Sequence, residues 1–251
     1  MSSDRGSVSA RRGGQPAAVE HLQHMCNKSQ QIFETACQVG NTDAVQQALS
    51  LGGDNRVNVH ANNEVAFRDA CEGGHESIVR LLLALDGDRR IDVHAGQEKA
   101  FRAACFRGRL NIVRLLLSLG GERCIDVHAE HDAAFSVALL HNHPDIVEAI
   151  LALTGRQRLK APVSLYASAF RSACLKGQEE LARLLLSLQG DRCIDPDTSF
   201  TTVFQAVCRN GQNSKGVLRL LLSLEGQRRV DVHDLGELAF RGACERGQED
   251  I

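Results

Sequence analysis

Four histidines recur at equivalent positions and are the first candidates for chemistry in this chain. Each lies seven residues before a phenylalanine: His60, His94, His128 and His233. An imidazole can act as a general base or as a metal ligand. An active site, however, needs different groups that converge on one point, whereas these histidines are one group copied at intervals. The pattern therefore favours a structural role, in which a loop histidine bonds backbone groups in each repeat.

Eight of the nine cysteines recur in one of two repeated contexts. Six of them follow a phenylalanine by four residues: Cys37, Cys71, Cys105, Cys174, Cys208 and Cys244. A small thiol repeated at one position of a helical pattern is typical of core packing. Their number is odd and the first residues do not resemble a secretory leader. We therefore expect reduced thiols, in the cytoplasm or the nucleus.

The best candidate for a metal site is a short cluster near the N-terminus. His21, His24 and Cys26 bring ligand types close together, but a fourth ligand is missing and the chain has no Cys-x-x-Cys. A phosphate-binding loop of the type G-x-x-x-x-G-K-[ST] is also absent from the sequence. We therefore expect no metal, no cofactor and no enzymatic activity.

Arginines form two further series. The first follows the repeated phenylalanine, and in three of its four members a glutamate precedes the arginine by four residues, which suits helical ion pairs: Arg68, Arg102, Arg171 and Arg241. The second series lies in loops, usually beside a carboxylate: Arg89, Arg123, Arg192 and Arg228. These neighbouring carboxylates favour a solvated ladder of ion pairs over a nucleic-acid surface.

Charge and hydropathy exclude several classes of function. The 251 residues carry 29 Lys and Arg against 31 Asp and Glu, a formal net charge of −2. This balance argues against electrostatic capture of nucleic acid or of an anionic membrane. No apolar run approaches the roughly 18 residues of a membrane span. Nucleic acid and membranes are therefore not the expected partners.

The elements that carry these residues form a repeat of about 34 residues, the spacing of Phe33, Phe67 and Phe101. Ala and Cys flank most of the repeated phenylalanines at helical spacing, and Leu139 replaces the cysteine after Phe135. A glycine follows, or Asn142 in the fourth repeat, which suits a left-handed helix end. A leucine-rich stretch and a longer loop complete the unit. Each repeat is thus predicted as two short helices, and because one repeat cannot bury its own apolar faces, we predict that repeats stack.

These residues resemble the ankyrin repeat family. The second-helix signature of that family is similar to Gly74-His75-Glu76-Ser77-Ile78-Val79-Arg80-Leu81-Leu82-Leu83. Its paired alanines fall at Ala70-Cys71, and its Asp-Val-Asn-Ala loop entry is similar to Asp92-Val93-His94-Ala95. The resemblance covers roughly residues 30–251. It implies an all-α, or nearly all-α, right-handed solenoid of ankyrin-like helix-turn-helix repeats.

The chain departs from that family at the start of the first helix. Lys99-Ala100-Phe101-Arg102 stands where the family has Thr-Pro-Leu-His, and the loop after the second helix is longer. A plain loop could therefore replace the projecting β-hairpin of the family. Tetratricopeptide arrays share the 34-residue period but fit less well. Their Trp and Tyr are missing, and the loop of about 12 residues between Leu85 and Glu98 leaves too little chain for two long helices.

Two regions are predicted. Residues 1–28 lack the period and are rich in Ser, Gly, Arg and Gln, so we expect a disordered N-terminal tail. Residues 29–251 form the array of about seven repeats. Its first repeat carries Gln46-Gln47 as a polar cap. Its last repeat stops at Ile251, at the beginning of a second helix, so we expect the natural array to continue.

The resemblance implies a scaffold or adaptor that binds a macromolecular partner on the concave face of the solenoid. One alternative is the repeat half of a larger protein whose catalytic or signalling domain lies beyond residue 251. The other is a reader of anionic ligands or nucleic acid through the arginine stripe of the loops. We expect a monomer.

Positions that differ between otherwise similar repeats are candidates for recognition. They lie four residues before the repeated phenylalanine, on the side that lines the concave face by the ankyrin-like alignment: Asn63, Gln97, His131, Tyr166 and Phe200. Tyr166 and Phe200 are aromatic and lie in adjacent repeats, so we hypothesise that they form the centre of the partner site. The alternative is that both rings pack inward, around Pro162 and Pro196.

Overall fold

A computed structural model describes residues 16–159, 161–194, 200–210, 215–230 and 241. Within these ranges the chain forms twelve α-helices and no strand, which confirms the predicted all-α class. The chain divides into two compact units, with the boundary between Asp92 and Val93. We call them the N-terminal unit and the C-terminal unit.

The N-terminal unit contains α1 (Pro16–Val39), α2 (Thr42–Ser50), α3 (Ala61–Gly73) and α4 (Glu76–Leu83). Helix α1 packs against α3, and α2 packs against α4. Helix α1 begins inside the range predicted as a tail, while residues 1–15 lie outside the described residues. The predicted cap residues Gln46 and Gln47 are exposed.

The C-terminal unit contains α5 (Ala95–Phe106), α6 (Leu110–Leu117), α7 (Ala129–Leu140), α8 (Pro144–Leu151), α9 (Val163–Leu175), α10 (Glu179–Ser187), α11 (Phe200–Asn210) and α12 (Lys215–Leu222). The first helix of a repeat packs against the first helix of the next in α5 with α7 and in α9 with α11. The second helices α6, α8, α10 and α12 pack in succession. The last predicted repeat falls almost entirely on residues 231–240 and 242–251, outside the described residues.

The first helix of several repeats ends at a left-handed residue, as predicted. Gly74 has φ 82° and donates its N–H to the carbonyls of Ala70 and Cys71. Gly108, Asn142 and Gly177 adopt φ values of 70°, 57° and 68° at the equivalent turns. These residues let the chain reverse at once into the second helix, because glycine and asparagine tolerate this conformation best.

Each loop after a second helix contains a 3₁₀ turn that starts at a glycine: Gly53, Gly87, Gly121, Gly155, Gly190 and Gly226. The segment that follows is extended, and its side chains alternate. Ile125 and Val127 are buried while Asp126 between them is exposed. The described loops form no β-hairpin, so a plain loop is found where the family resemblance would place a projecting finger.

The core follows the repeat pattern. The rings of Phe67, Phe101, Phe135 and Phe170 are at most 1% exposed. Removing such a ring from water stabilises the fold by roughly 1.5–3 kcal/mol. Cysteines one helical turn later pack beside them and carry no disulfide: Cys37, Cys71, Cys105, Cys174 and Cys208. The repeated cysteines among the described residues are therefore packing residues, as predicted.

Burial also makes these thiols unreactive. It raises the pKa of Cys37 and of Cys174 to about 12 and that of Cys208 to about 11. Cys124, by contrast, is exposed. Because the thiolate is the nucleophile, we expect iodoacetamide to modify Cys124 in the folded chain well before the buried set. Mass spectrometry of timed samples, with a denatured control, measures the order. Simultaneous modification of all five buried thiols in the folded state would contradict the packing.

Candidate functional site

The repeated histidine of the N-terminal unit forms a hydrogen-bond network at the start of α3. His60 Nδ1 lies 2.7 Å from Glu64 Oε1, and its Nε2 lies 2.9 Å from the carbonyl oxygen of Asp88. Both ring nitrogens thus face acceptors, and only the imidazolium form donates to both. The same Glu64 oxygen accepts the N–H of Asp92 at 3.1 Å. We call this arrangement the histidine clamp.

The C-terminal unit repeats the clamp. His94 Nδ1 lies 2.6 Å from Glu98 Oε1, and its Nε2 lies 2.8 Å from the Glu122 carbonyl. Glu98 Oε1 accepts the N–H of Asp126 at 3.0 Å. Glu98 is only 2% exposed, so its charge needs this close partner. The structural role predicted for these histidines is confirmed for both copies.

A third copy of the clamp has a shorter carboxylate side chain. His128 Nδ1 lies 2.8 Å from Asp132 Oδ1, so an aspartate takes the place of the glutamate. The fourth predicted copy, His233, lies outside the described residues. The clamp therefore recurs with small changes in three successive repeats, as expected of a scaffold feature rather than of a catalytic centre.

The clamp makes stability depend on pH. The Glu64 carboxylate first, and the Asp88 carbonyl second, raise the pKa of His60 above its ordinary value of 6.5. Above that pH the folded chain keeps a proton that the unfolded chain releases. The contribution of His60 is thus complete below about pH 6.5 and is lost as the pH rises through the raised pKa.

We therefore expect the urea midpoint of unfolding to fall as the pH is raised from 6.5. The change His60→Gln should remove part of that fall, whereas His131→Gln, at an exposed histidine, should leave it in place. The NMR titration of His60 measures its pKa directly. An unchanged pH dependence in His60→Gln would show that the clamp holds no additional proton.

The clamp fixes an unusual backbone conformation. Three consecutive residues at the start of each clamped helix have φ between 52° and 63°: Asn62, Asn63 and Glu64 in α3, Gly96, Gln97 and Glu98 in α5, and Glu130, His131 and Asp132 in α7. Left-handed residues other than glycine cost roughly 1–2 kcal/mol each. Such a turn persists only where its surroundings hold it, and the clamped carboxylate is its last residue.

The middle residue of each turn is one of the predicted site residues. Asn63, Gln97 and His131 are all exposed. Their side chains therefore stand on a backbone that is fixed on one side by a clamped carboxylate. We call these three residues the display positions.

Tyr166 and Phe200 are placed differently. Their exposed fractions are 0% and 3%, so no partner can contact either ring in this conformation. Tyr166 packs edge-on against Phe135 with the ring centroids 5.9 Å apart, and Phe200 packs edge-on against Phe170 at 5.5 Å. Both rings therefore pack inward, as the alternative predicted. The hypothesis that Tyr166 and Phe200 form the centre of a partner site is wrong for this conformation.

The physical reason lies at Pro162. This residue precedes α9 in an extended conformation, with φ −66° and ψ 147°, and no left-handed turn follows it. Residue 166 consequently falls inside the first turns of α9, on the face that meets the core. Pro196, the corresponding residue before α11, lies outside the described residues.

The two roles of Tyr166 can be separated by substitution. Its hydroxyl oxygen is buried without a hydrogen-bond partner. Tyr166→Phe should therefore leave the free energy of unfolding unchanged or raise it, because a buried unsatisfied group is removed. Tyr166→Ala should lower it by roughly 3–5 kcal/mol through the cavity. Urea denaturation measures both; equal losses in the two variants would show that the hydroxyl is bonded.

Three of the loop arginines bind backbone carbonyls near helix ends, rather than forming solvated ion pairs with the carboxylates beside them. Arg192 donates to the carbonyls of Leu151 and Leu159, at 2.7 and 3.2 Å. Arg228 donates to Leu186 at 3.0 Å. In the N-terminal unit, Arg89 likewise donates to a carbonyl at the end of α2. Helix ends leave carbonyls unsatisfied, and cations there oppose the helix dipole.

The neighbouring carboxylates pair elsewhere. Asp191 is bound by Arg158 at 2.7 Å, and Asp88 by Arg56 at 2.9 Å. The prediction that each loop arginine pairs with the carboxylate beside it is therefore wrong for Arg192, because its guanidinium reaches helix carbonyls instead. These contacts also do not favour the alternative of an anion-reading stripe.

One feature was missed by the sequence argument. In three successive repeats the residue after the buried Cys105, Leu139 or Cys174 is apolar and exposed: Phe106 at 38%, Leu140 at 61% and Leu175 at 37%. We call these three residues the apolar stripe. Its sequence signal is the residue after the repeated core position, which is polar in the other described repeats: Gln38, Glu72 and Arg209.

The described residues hold no group of three or more His, Cys, Asp or Glu side chains that could bind a metal. The side chains of His21, His24 and Cys26 lie outside the part that the structure describes. None of the helices in the described part is long and apolar enough to cross a membrane.

Comparison with known proteins adds no relative. No protein-family model matches the chain, and no curated protein matches it.

Proposed function

We propose that this chain is a protein-binding scaffold, monomeric on its own, whose ankyrin-like repeats stack as a solenoid. The display positions Asn63, Gln97 and His131 contact the partner. The observation that carries this proposal is their common setting: each is exposed, each is the middle residue of a left-handed turn, and each is a different polar residue.

The rigidity of these turns supports recognition. Binding loses free energy when side chains and loops become ordered, and a backbone that is already fixed loses less. In the C-terminal unit, Gln97 and His131 begin α5 and α7, which pack against each other. Packed helices lie about 8–10 Å apart, so these two side chains can contact one partner surface together.

Strain at these turns also supports a functional reading. Residues in the left-handed region are enriched at binding sites because a simple scaffold would avoid their cost. The buried, reduced thiols fit a reducing compartment, so we assign the chain to the cytoplasm or the nucleus.

The proposal is tested with the whole chain as bait and the recovered partner in purified form. The double variant Gln97→Ala with His131→Ala should weaken binding about tenfold or more, the effect of losing roughly 1.4 kcal/mol. The matched control is Glu148→Ala with Arg183→Ala, at two exposed positions on second helices. Both proteins should melt like the parent. Equal affinity of the two double variants, at equal melting temperature, would refute the role of the display positions.

A further inference from the structure

We propose that the histidine clamp of the N-terminal unit is a proton switch, in which loss of the His60 proton opens the turn that carries Asn63. In the closed form the turn is left-handed and the Glu64 side chain is buried, as in the structure. In the open form the Glu64 carboxylate contacts water and the turn relaxes. The switch works without a partner, so its test is independent of the proposed function.

The His60 ring loses one of its two contacts when it becomes neutral. Its Nδ1 lies 2.7 Å from the Glu64 carboxylate, and its Nε2 lies 2.9 Å from the carbonyl oxygen of Asp88. A neutral imidazole has a single N–H. Deprotonation therefore turns a ring lone pair towards either the carboxylate or the carbonyl, and an attractive contact becomes a repulsive one.

The burial of Glu64 makes the loss of the cation costly. Glu64 is 4% exposed. Its Oε1 accepts the N–H of Asp92 at 3.1 Å, whereas its Oε2 is buried and has no hydrogen-bond partner among the described residues. A buried carboxylate that loses its cation is strongly destabilising. Deprotonation of His60 therefore favours a form in which the Glu64 carboxylate reaches water.

The backbone of the turn provides the second state. Asn62, Asn63 and Glu64 have φ values of 52°, 61° and 60°, which are costly for residues other than glycine. The closed clamp offsets this cost, because the clamped Glu64 is the last residue of the turn. Once the clamp opens, relaxation of the backbone also favours the open form. A strained element that a histidine biases is a recognised basis of pH-sensitive switching.

The charged groups around His60 set the pH at which the switch opens. The carboxylates of Glu64 and Asp88 favour the proton, while Arg56 and Arg89, which line the same pocket, oppose it. Arg56 is paired with Asp88 at 2.9 Å, and Arg89 donates to a backbone carbonyl at the end of α2. The sum of these effects, with Glu64 as the largest cause, raises the pKa of His60 above 6.5. The switch therefore opens as the pH rises above 6.5 through this raised pKa.

The third copy of the clamp offers a comparison within the chain. The Asp132 side chain is 21% exposed, against 6% for Glu64 and 3% for Glu98. The Asp132 carboxylate therefore keeps contact with water when His128 is neutral. A buried carboxylate is the feature that turns the clamp into a switch, and this copy lacks it.

The experiment measures the solvent exchange of the Asp92 amide by NMR in the ¹⁵N-labelled full chain, corrected for the intrinsic rate at each pH. This amide donates to Glu64, so its protection reports the closed clamp. Between about pH 6 and about pH 8.5 we expect the protection to fall about tenfold or more, because a one-proton transition shifts by up to about tenfold per pH unit. The amide of Val79, which donates to the His75 carbonyl in the same unit, should keep its protection.

Three variants make the result specific. His60→Gln lacks the cation, so the protection of the Asp92 amide should be low at both pH values. Glu64→Gln removes the buried charge, and its protection should no longer depend on pH. His141→Gln, at an exposed histidine of the C-terminal unit, is the matched control and should behave like the parent.

The proposal is overturned by an Asp92 protection in the parent that does not depend on pH, or by a His60→Gln variant that keeps the dependence of the parent. A loss at Val79 in step with Asp92 also overturns it, because the whole unit would then unfold. Should His60→Gln fail to fold, Glu64→Gln decides alone, and a pH dependence that persists in it is the contrary result. Binding data for the Gln97 and His131 variant bear only on the proposed function.

Discussion

The pairing of a buried glutamate with a histidine four residues before it is the interaction on which the entries to α3 and α5 depend. Glu98, at the start of α5, bonds His94. The same carboxylate accepts the N–H of Asp126, which lies in a loop 28 residues further along the chain. A buried carboxylate without a cation or N–H donors is strongly destabilising. The histidine, the glutamate and the loop must therefore remain together, and the left-handed turn between the two side chains is retained as a consequence.

The fifth repeat shows what happens without the clamp. Pro162 brings an extended entry into α9, and the position that is exposed at Gln97 and His131 becomes the buried Tyr166. One alignment position thus has opposite exposure in neighbouring repeats. The exposure depends on whether a histidine and a carboxylate hold a left-handed turn at this position, and not on the side chain itself.

This explains how far the sequence could predict the structure. Periodicity predicted the helices, the buried phenylalanines and the left-handed end at Gly74, since each depends on local pattern. It could not predict the partner of Glu98, because Arg102 and His94 lie equally far from it along the chain. The left-handed turn between residues 94 and 98 brings the Glu98 carboxylate to His94 rather than to Arg102. Arg192 was misassigned for a similar reason, as its backbone acceptors have no signature in the sequence.

The same physics distinguishes the two ends of α5. Gln97 and Phe106 belong to α5 and are nine residues apart, which corresponds to roughly 13 Å along a helix. At the first end, buried charge holds the backbone in a costly conformation and leaves a polar side chain exposed. At the second end, the left-handed residue is a glycine, Gly108, which needs no such support, and the exposed Phe106 lies two residues before it. Between the two ends, Phe101 and Cys105 are fully buried and anchor α5 in the core.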